Sequence, residues 1–477
     1  MTHPSPKEKW AYAAGTIPSA AKEAAFINFV VFYYTQVLGL SGTLAGLAML
    51  LALIWDAITD PLVGSWSDQL RTRWGRRHPL MLAGGVPTAL LLYALFSPPR
   101  GLGELEAFAW LLGVSLLLRT AITINFIPYQ ALGAELSNDY DQRTVIAKAR
   151  VTASWLAGIF LPATAYALVF QSGDGSDGRL LADNYAVYGV MSATLALVGC
   201  FYCVWGTRTA IPRLPAPEAA ATRFGLARAW SDFRLALGNS SFRCYIGFAL
   251  AFGVCAGTAT TLALYMSTYF WEFTTIQLAW LAIPTLLGTL TAFLILGPLG
   301  RRYDKPQLIA GMCLAFFFNS IWFVGARLLD LLPGNEHPAI FTLQVVHTWI
   351  SITVVVAMSA LTASLLADIL DEQELATGER QEGVFFAAAT FIFKATSGLG
   401  SLAGGLVIDF AGLETGLAPG EVPTATLNTM GWWAGPITSL LVLVAWWFAS
   451  RLELGRDKIA AIQQSLKPRL RESPESS

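Results

Sequence analysis

Long apolar runs separated by short polar connections set the organisation of this chain. About twenty apolar residues in a helix suffice to cross a bilayer. Twelve runs reach that length, at approximately 11–38, 42–65, 79–98, 107–134, 146–170, 185–206, 243–270, 277–299, 307–329, 339–367, 383–411 and 427–450. The pattern predicts an all-α integral membrane protein of twelve transmembrane helices. The longest polar connection, roughly Gly206 to Ser241, is rich in Pro, Ala and Arg and follows the sixth run. It divides the chain into an N-terminal six-helix half (1–206), a central loop (207–241), a C-terminal six-helix half (242–450) and a tail (451–477).

Composition sharpens this. Of the 477 residues, 55% are hydrophobic and only 13% charged, about half the charged share of a soluble protein. Nearly all of the chain therefore belongs in the membrane. The net charge of −1 says nothing about partners, and no nucleic-acid partner is expected. Met1 to Lys9 is polar and lacks the apolar core of a cleaved signal peptide. The five cysteines all fall in apolar runs. Cys200-Phe-Tyr-Cys203 has redox-motif spacing without a βαβ setting, so packing is expected and no disulfide framework. Orientation follows from Lys and Arg in the connections. One side carries 24 of them; the other carries only Arg100, Arg179 and Arg327. Both termini and the central loop are thus expected to be cytoplasmic.

Beyond the outermost three positions of each run, seven charged residues fall inside: Lys22, Glu23, Asp56, Asp60, Arg119, Arg150 and Lys394. Charges at this depth face a bundle interior or an aqueous cavity and mark pathways. Counted from the run ends, Glu23, Asp56, Arg119 and Lys394 lie near the midplane, with Asp60 and Arg150 nearer the cytoplasmic side. Asp56 and Asp60 stand four apart and share a helix face. An Asp in hydrocarbon costs roughly 2.5–3.5 kcal/mol, and like charges at this spacing repel. A cation between the oxygens makes the pair tolerable, since carboxylates and a hydroxyl, here Thr59, are hard ligands. The alternative is a helix end, with Asp60 in interfacial water and Asp56 paired to a neighbouring Arg or Lys. As a set, the seven charges predict a polar central cavity, and the surplus positive charge points to an anionic group on a solute. The six-plus-six layout fits transporters that hold the solute at the midplane between two halves.

Three stretches carry a resemblance. The first is Tyr33-Tyr-Thr-Gln-Val-Leu-Gly-Leu-Ser41, with Ile54-Trp-Asp-Ala-Ile-Thr-Asp-Pro61 and the basic loop Arg71 to Arg77. The second is Pro128-Tyr-Gln-Ala-Leu-Gly-Ala-Glu-Leu136 with Asp139 to Thr144. The third is Thr377-Gly-Glu-Arg-Gln-Glu-Gly383, leading into Phe393-Lys394. Together they resemble the glycoside–pentoside–hexuronide:cation symporters, the melibiose permease group of the major facilitator superfamily. The resemblance implies sodium, lithium or a proton at Asp56 and Asp60, with Thr59 in place of an Asn ligand and Thr123 completing the site. It implies no other cofactor. It also implies solute contacts from Arg150 and Lys394. The permease's sugar-clamping carboxylates are missing: Ala20, Phe126 and Gln130 stand at the matching places. Glu23, one turn from Ala20, is the candidate replacement, with Lys22 and Arg119 beside it. The departures weigh against a melibiose-like galactoside, and Phe126 leans towards the lysophospholipid-carrying branch of the group.

Gly64-Ser-Trp-Ser-Asp68 with Gly75-Arg76-Arg77 resembles the superfamily's gating motif, and Gly297 to Lys305, with Arg301 and Arg302, echoes it in the second half. Asp68 is expected to pair with a basic residue or a helix N-terminus, and the acidic run Asp368, Asp371, Glu372 and Glu374 to answer these loops. Gly400-Ser-Leu-Ala-Gly404 allows close helix approach. His347 is expected to be structural. Neither His-Glu-x-x-His nor Gly-x-Ser-x-Gly occurs, so an enzyme is not expected. The expected function is cation-driven uptake of a sugar, glycoside or uronide by a monomer in the bacterial inner membrane, among membrane lipids. The alternatives are a lysophospholipid or other amphiphilic anion as solute, and an uncoupled facilitator or sensor.

Overall fold

The computed structural model describes residues 4–70, 72, 74–137, 139–173, 176–213, 234–378 and 381–472. Most of the central loop, with Arg71, Arg73, Glu379 and Arg380, lies outside them. The described chain is helical, with one isolated bridge between Gly173 and Ser176. Eleven helices are long and apolar enough to cross a membrane. The first run is helical too, but in pieces: Pro6–Ala14, Ile17–Ala25 and the π turns Phe26–Val30 and Tyr33–Val37. Pro18 opens the second piece, where its missing N–H costs nothing. Between the pieces, Gly15 lies so close to Tyr129 that a Cβ would sit 2.5 Å from its ring. A chain of twelve transmembrane helices results, each satisfying its own backbone polar groups as hydrocarbon requires.

The chain forms two compact units. The first comprises Met1–Phe224, Thr260–Ala282 and Ser401–Leu427. Its core holds Phe29, Tyr33, Phe96, Phe170, Tyr185 and Tyr188, all essentially without exposure. Their rings meet in offset and tilted pairs, such as Tyr33–Tyr185 at 4.3 Å and Phe29–Tyr188 at 4.5 Å. The Thr35 and Tyr265 hydroxyls are 2.5 Å apart, and Tyr269 donates to Gln36 at 3.0 Å. Helix Gly42–Gln69 and the end of helix Glu382–Ala411 touch through glycines. A Cβ on Gly42 would stand 2.4 Å from the Gly405 carbonyl oxygen. The Asp409 carboxylate accepts from the amides of Gly42 and Thr43 at that helix's start.

The second unit comprises Gly225–Ala259, Ile283–Gly400 and Asn428–Ser477. Phe242, Ile309, Cys313, Leu365, Ile369, Phe385, Val442 and Ala445 form its centre. Gly400 approaches Gly257 closely, where a Cβ would meet Cα at 2.6 Å, as the small-residue pattern predicts. All five cysteines are free, in line with a packing role. The tail contains a further helix, Arg456–Glu472, that no apolar run marks.

Candidate cation and solute site

Helix Gly42–Gln69 starts at Ser41, whose hydroxyl accepts from the Leu44 amide, and runs unbroken through Pro61. It places Asp56 and Asp60 on one face. Helix Glu104–Glu135 faces it with Arg119 and Thr123, at the same spacing of four. Trp55 ties the two helices, donating from Nε1 to Thr120 at 2.9 Å. The two pairs interlock. Thr123 Oγ1 lies 3.3 Å from Asp56 Oδ1 and 2.9 Å from Asp60 Oδ1. Arg119 Nη1 lies 3.2 Å from Asp56 Oδ2. Asp56 is 7% exposed, Arg119 and Thr123 3%. Thr59 is buried, and its hydroxyl donates to the Asp56 carbonyl at 3.3 Å, leaving its lone pairs for another partner.

A hydroxyl has one proton, so Thr123 donates to one carboxylate at a time. Two acid oxygens thus converge on a single donor. Asp56 is also paired to a base, as the helix-end alternative required for that residue. The pairing engages Oδ2, while Oδ1 turns towards Thr123 and Asp60. Carboxylate and hydroxyl oxygens suit a small hard cation. Among the described residues no group of three or more His, Cys, Asp or Glu is arranged to hold a metal. Asp56, Asp60 and Thr123 offer oxygen donors only.

The first run completes the wall. Lys22, 5% exposed, pairs with the exposed Glu23 at 2.7 Å. The Arg119 guanidinium lies 4.8 Å over the ring of Phe26, a residue that sequence patterning does not single out. Phe126 packs on Tyr129, which stacks with Tyr12. Gln130 is exposed and Arg150 half-buried. Lys394 belongs to the second unit and is half-buried.

The basic connection after helix Gly42–Gln69 closes on one acid. Arg77, 4% exposed, bonds Glu135 from Nε at 3.0 Å and from Nη2 at 2.6 Å, Asp68 at 2.8 Å and Ser67 at 2.7 Å. Arg76 reaches the same Glu135 oxygen at 2.8 Å. Asp68 thus has the basic partner expected of it. Glu135 as the point of convergence was not legible, because an acid at a helix end looks like ordinary surface charge. In the second unit Arg301 and Arg302 are exposed, and Lys305 is the residue that reaches the acidic run, at Asp368. Glu372 is taken by Lys458 and Asp371 by Gln463, both from the tail helix. His347 lies in the second unit, beside Asn319, which donates to its carbonyl at 3.1 Å.

Residues 11–456 match the family described as MFS/sugar transport protein. The chain belongs to that family. Within it, the chain is 24% identical to a putative glycoside/cation symporter of Escherichia coli, over 89% of this chain and 87% of that one. It is 24% identical to a glucuronide carrier protein homolog of the same organism, over 84% and 83%. A bacterial homolog of the human lysosomal transporter Spinster, solved inward-facing and unoccupied, has the same fold, with a TM-score of 0.66, 12% identity and coverage of 97% and 98%. This member of the MFS/sugar transport family is an integral membrane transporter of the glycoside–pentoside–hexuronide:cation symporter group, as the three sequence stretches predict.

Proposed function

We propose that this transporter takes up a sugar, glycoside or uronide by coupling it to sodium or proton entry, with Asp56, Asp60 and Thr123 as the cation ligands and Thr59 in reserve. The observation that carries the reading is the convergence of both Asp Oδ1 atoms on the single hydroxyl of Thr123. An arriving cation relieves the repulsion of the two acids, and the membrane potential adds about 2.3 kcal/mol per charge per 100 mV. Reciprocal coupling then requires the solute to tighten cation binding by the factor by which the cation tightens the solute's. Lys22, Glu23 and Arg119 line the approach to the acids, and Arg150 and Lys394 are the further solute contacts. The gating residues are Asp68, Arg76 and Arg77, joined by Glu135, and Arg301 and Arg302 serve the second half. Both termini lie in the cytoplasm of a bacterial cell, on the side rich in Lys and Arg. The glycoside and glucuronide relatives support this solute range.

The test is solute accumulation in inverted and right-side-out vesicles under imposed sodium or proton gradients. Glycosides, uronides and lysophospholipids are screened side by side. Asp60→Asn is expected to abolish gradient-driven accumulation while leaving exchange of solute measurable. Accumulation by Asp60→Asn with unchanged cation dependence would overturn the assignment.

A further inference from the structure

We propose that Arg119 is a positioning residue that restricts the paired-acid site to monovalent cations. The inference rests on the reading of Asp56 and Asp60 as cation ligands, and adds which ions they accept. Two carboxylates with hydroxyl oxygens are also a serviceable set for Ca2+ or Mn2+, so the ligands alone do not choose a valence. Arg119 supplies the choice in two ways. Its Nη1 engages Asp56 Oδ2 at 3.2 Å, which leaves Oδ1 directed at Thr123 and denies an incoming ion bidentate coordination by that carboxylate. Its charge is permanent, since a guanidinium keeps its proton at any physiological pH.

At 3% exposure that charge is poorly screened. The repulsion it exerts on an arriving ion is proportional to the ion's charge, so a divalent ion feels it twice as strongly. The guanidinium is also held in place. It is clamped between Asp56 and the face of Phe26, at 4.8 Å from the ring centroid. Whatever other groups surround the acids, removing this one charge must favour divalent over monovalent ions.

The experiment titrates the purified full chain in nanodiscs with Na+, Li+, Ca2+ and Mn2+, reading calorimetric heat and intrinsic tryptophan fluorescence. In Arg119→Gln the affinity for Ca2+ relative to Na+ is expected to rise about tenfold or more. Arg119→Lys, which keeps the charge, is expected to retain the wild-type preference. A purely structural role would lower affinity for all four ions together and would not be rescued by Lys. Arg119→Met serves the same purpose should the Gln variant not fold. The proposal is overturned if neutral variants keep the wild-type Ca2+/Na+ ratio, if Lys shifts it as far as Gln does, or if no variant takes up a divalent ion. A wild type that binds neither Na+ nor Li+, with Ca2+ gained in Arg119→Gln, supports it and makes the proton the coupling ion. Failure of the cation site itself reads differently: wild type and Asp60→Asn would then bind all four ions alike.

Discussion

Asp409 and Thr43 are joined twice through one oxygen: Asp409 Oδ2 accepts from the Thr43 amide at 2.7 Å and from its hydroxyl at 2.5 Å. The other oxygen accepts from the Gly42 amide at 2.6 Å. A carboxylate here satisfies the orphan donors of helix Gly42–Gln69 and lies at the positive end of its dipole. Asp409→Ala is expected to weaken this contact by about 1–2 kcal/mol, the usual worth of such a cap. A cysteine at Ser401 would then react several-fold faster with a membrane-impermeant thiol reagent. Unchanged labelling would mean the contact contributes nothing.

The glycines beneath that contact admit no methyl group. A Cβ on Gly405 would stand 2.0 Å from the Gly42 carbonyl oxygen, and backbone cannot swing aside as a side chain does. Gly405→Ala is expected to separate the two helices and to lower the thermal midpoint by an overpacking cost of about 1–3 kcal/mol. Gly297→Ala, with open space around its Cβ position, is the control and should leave the midpoint unchanged.

Glu135 serves two arginines with one oxygen. Removing its charge leaves the buried Arg77 with the half-exposed Asp68 as its acidic partner, beside the Ser67 hydroxyl, and breaking a buried pair from one side costs about 3–5 kcal/mol. Glu135→Gln should therefore destabilise the purified protein more than Asp68→Asn, whose carboxylate is half exposed. Arg77→Lys should be severe and Arg76→Lys mild, because only Arg77 uses Nε and both Nη atoms. Thermal unfolding in detergent ranks the four variants.

Glu8 fastens the N-terminal helix Pro6–Ala14 to the chain beyond the sixth span. Burial disfavours its charge, but the Ser5 amide, the Thr209 hydroxyl and the Arg213 guanidinium outweigh it and hold the carboxyl below its ordinary 4.5. A lowered value means the contribution is complete above 4.5 and is lost as pH falls through the value of the docked state. Protection against hydrogen exchange across residues 6–14, corrected for the intrinsic slowing of exchange in acid, should therefore fall as pH drops below 4.5. Glu8→Gln should exchange quickly at neutral pH and lose that dependence.

The helices and the acid pair were legible because both depend on local rules: run length for the spans, and spacing of four for Asp56 and Asp60. Other features depend on partners distant in sequence. Arg119 announced itself as a charge in an apolar run, but its pairing with Asp56 needed the relative rotation of two helices. The tail helix is too polar to register as an apolar run; its narrow apolar stripe, Ile459, Ile462 and Leu466, packs inwards, and the polar contacts Lys458 to Glu372 and Gln463 to Asp371 depend on partners distant in sequence. The first run reads as one continuous helix. The break at Gly15 and the π turns after Ala25 arise from the close approach of Tyr129 and from the aromatic packing of Phe29 and Tyr33.

Pro61 directly follows the second acid. Its ring nitrogen cannot donate to the carbonyl of Ala57, so one rung of the helix ladder is absent there. The turn that carries Asp56 and Asp60 therefore joins Leu62–Gln69, the segment bearing Ser67 and Asp68, at a point where the helix bends at lower cost. Were Arg77 to release Asp68, a change of tilt in the lower segment need not be transmitted in full to the acids. Cargo held above the proline would ride out the movement of the floor below it.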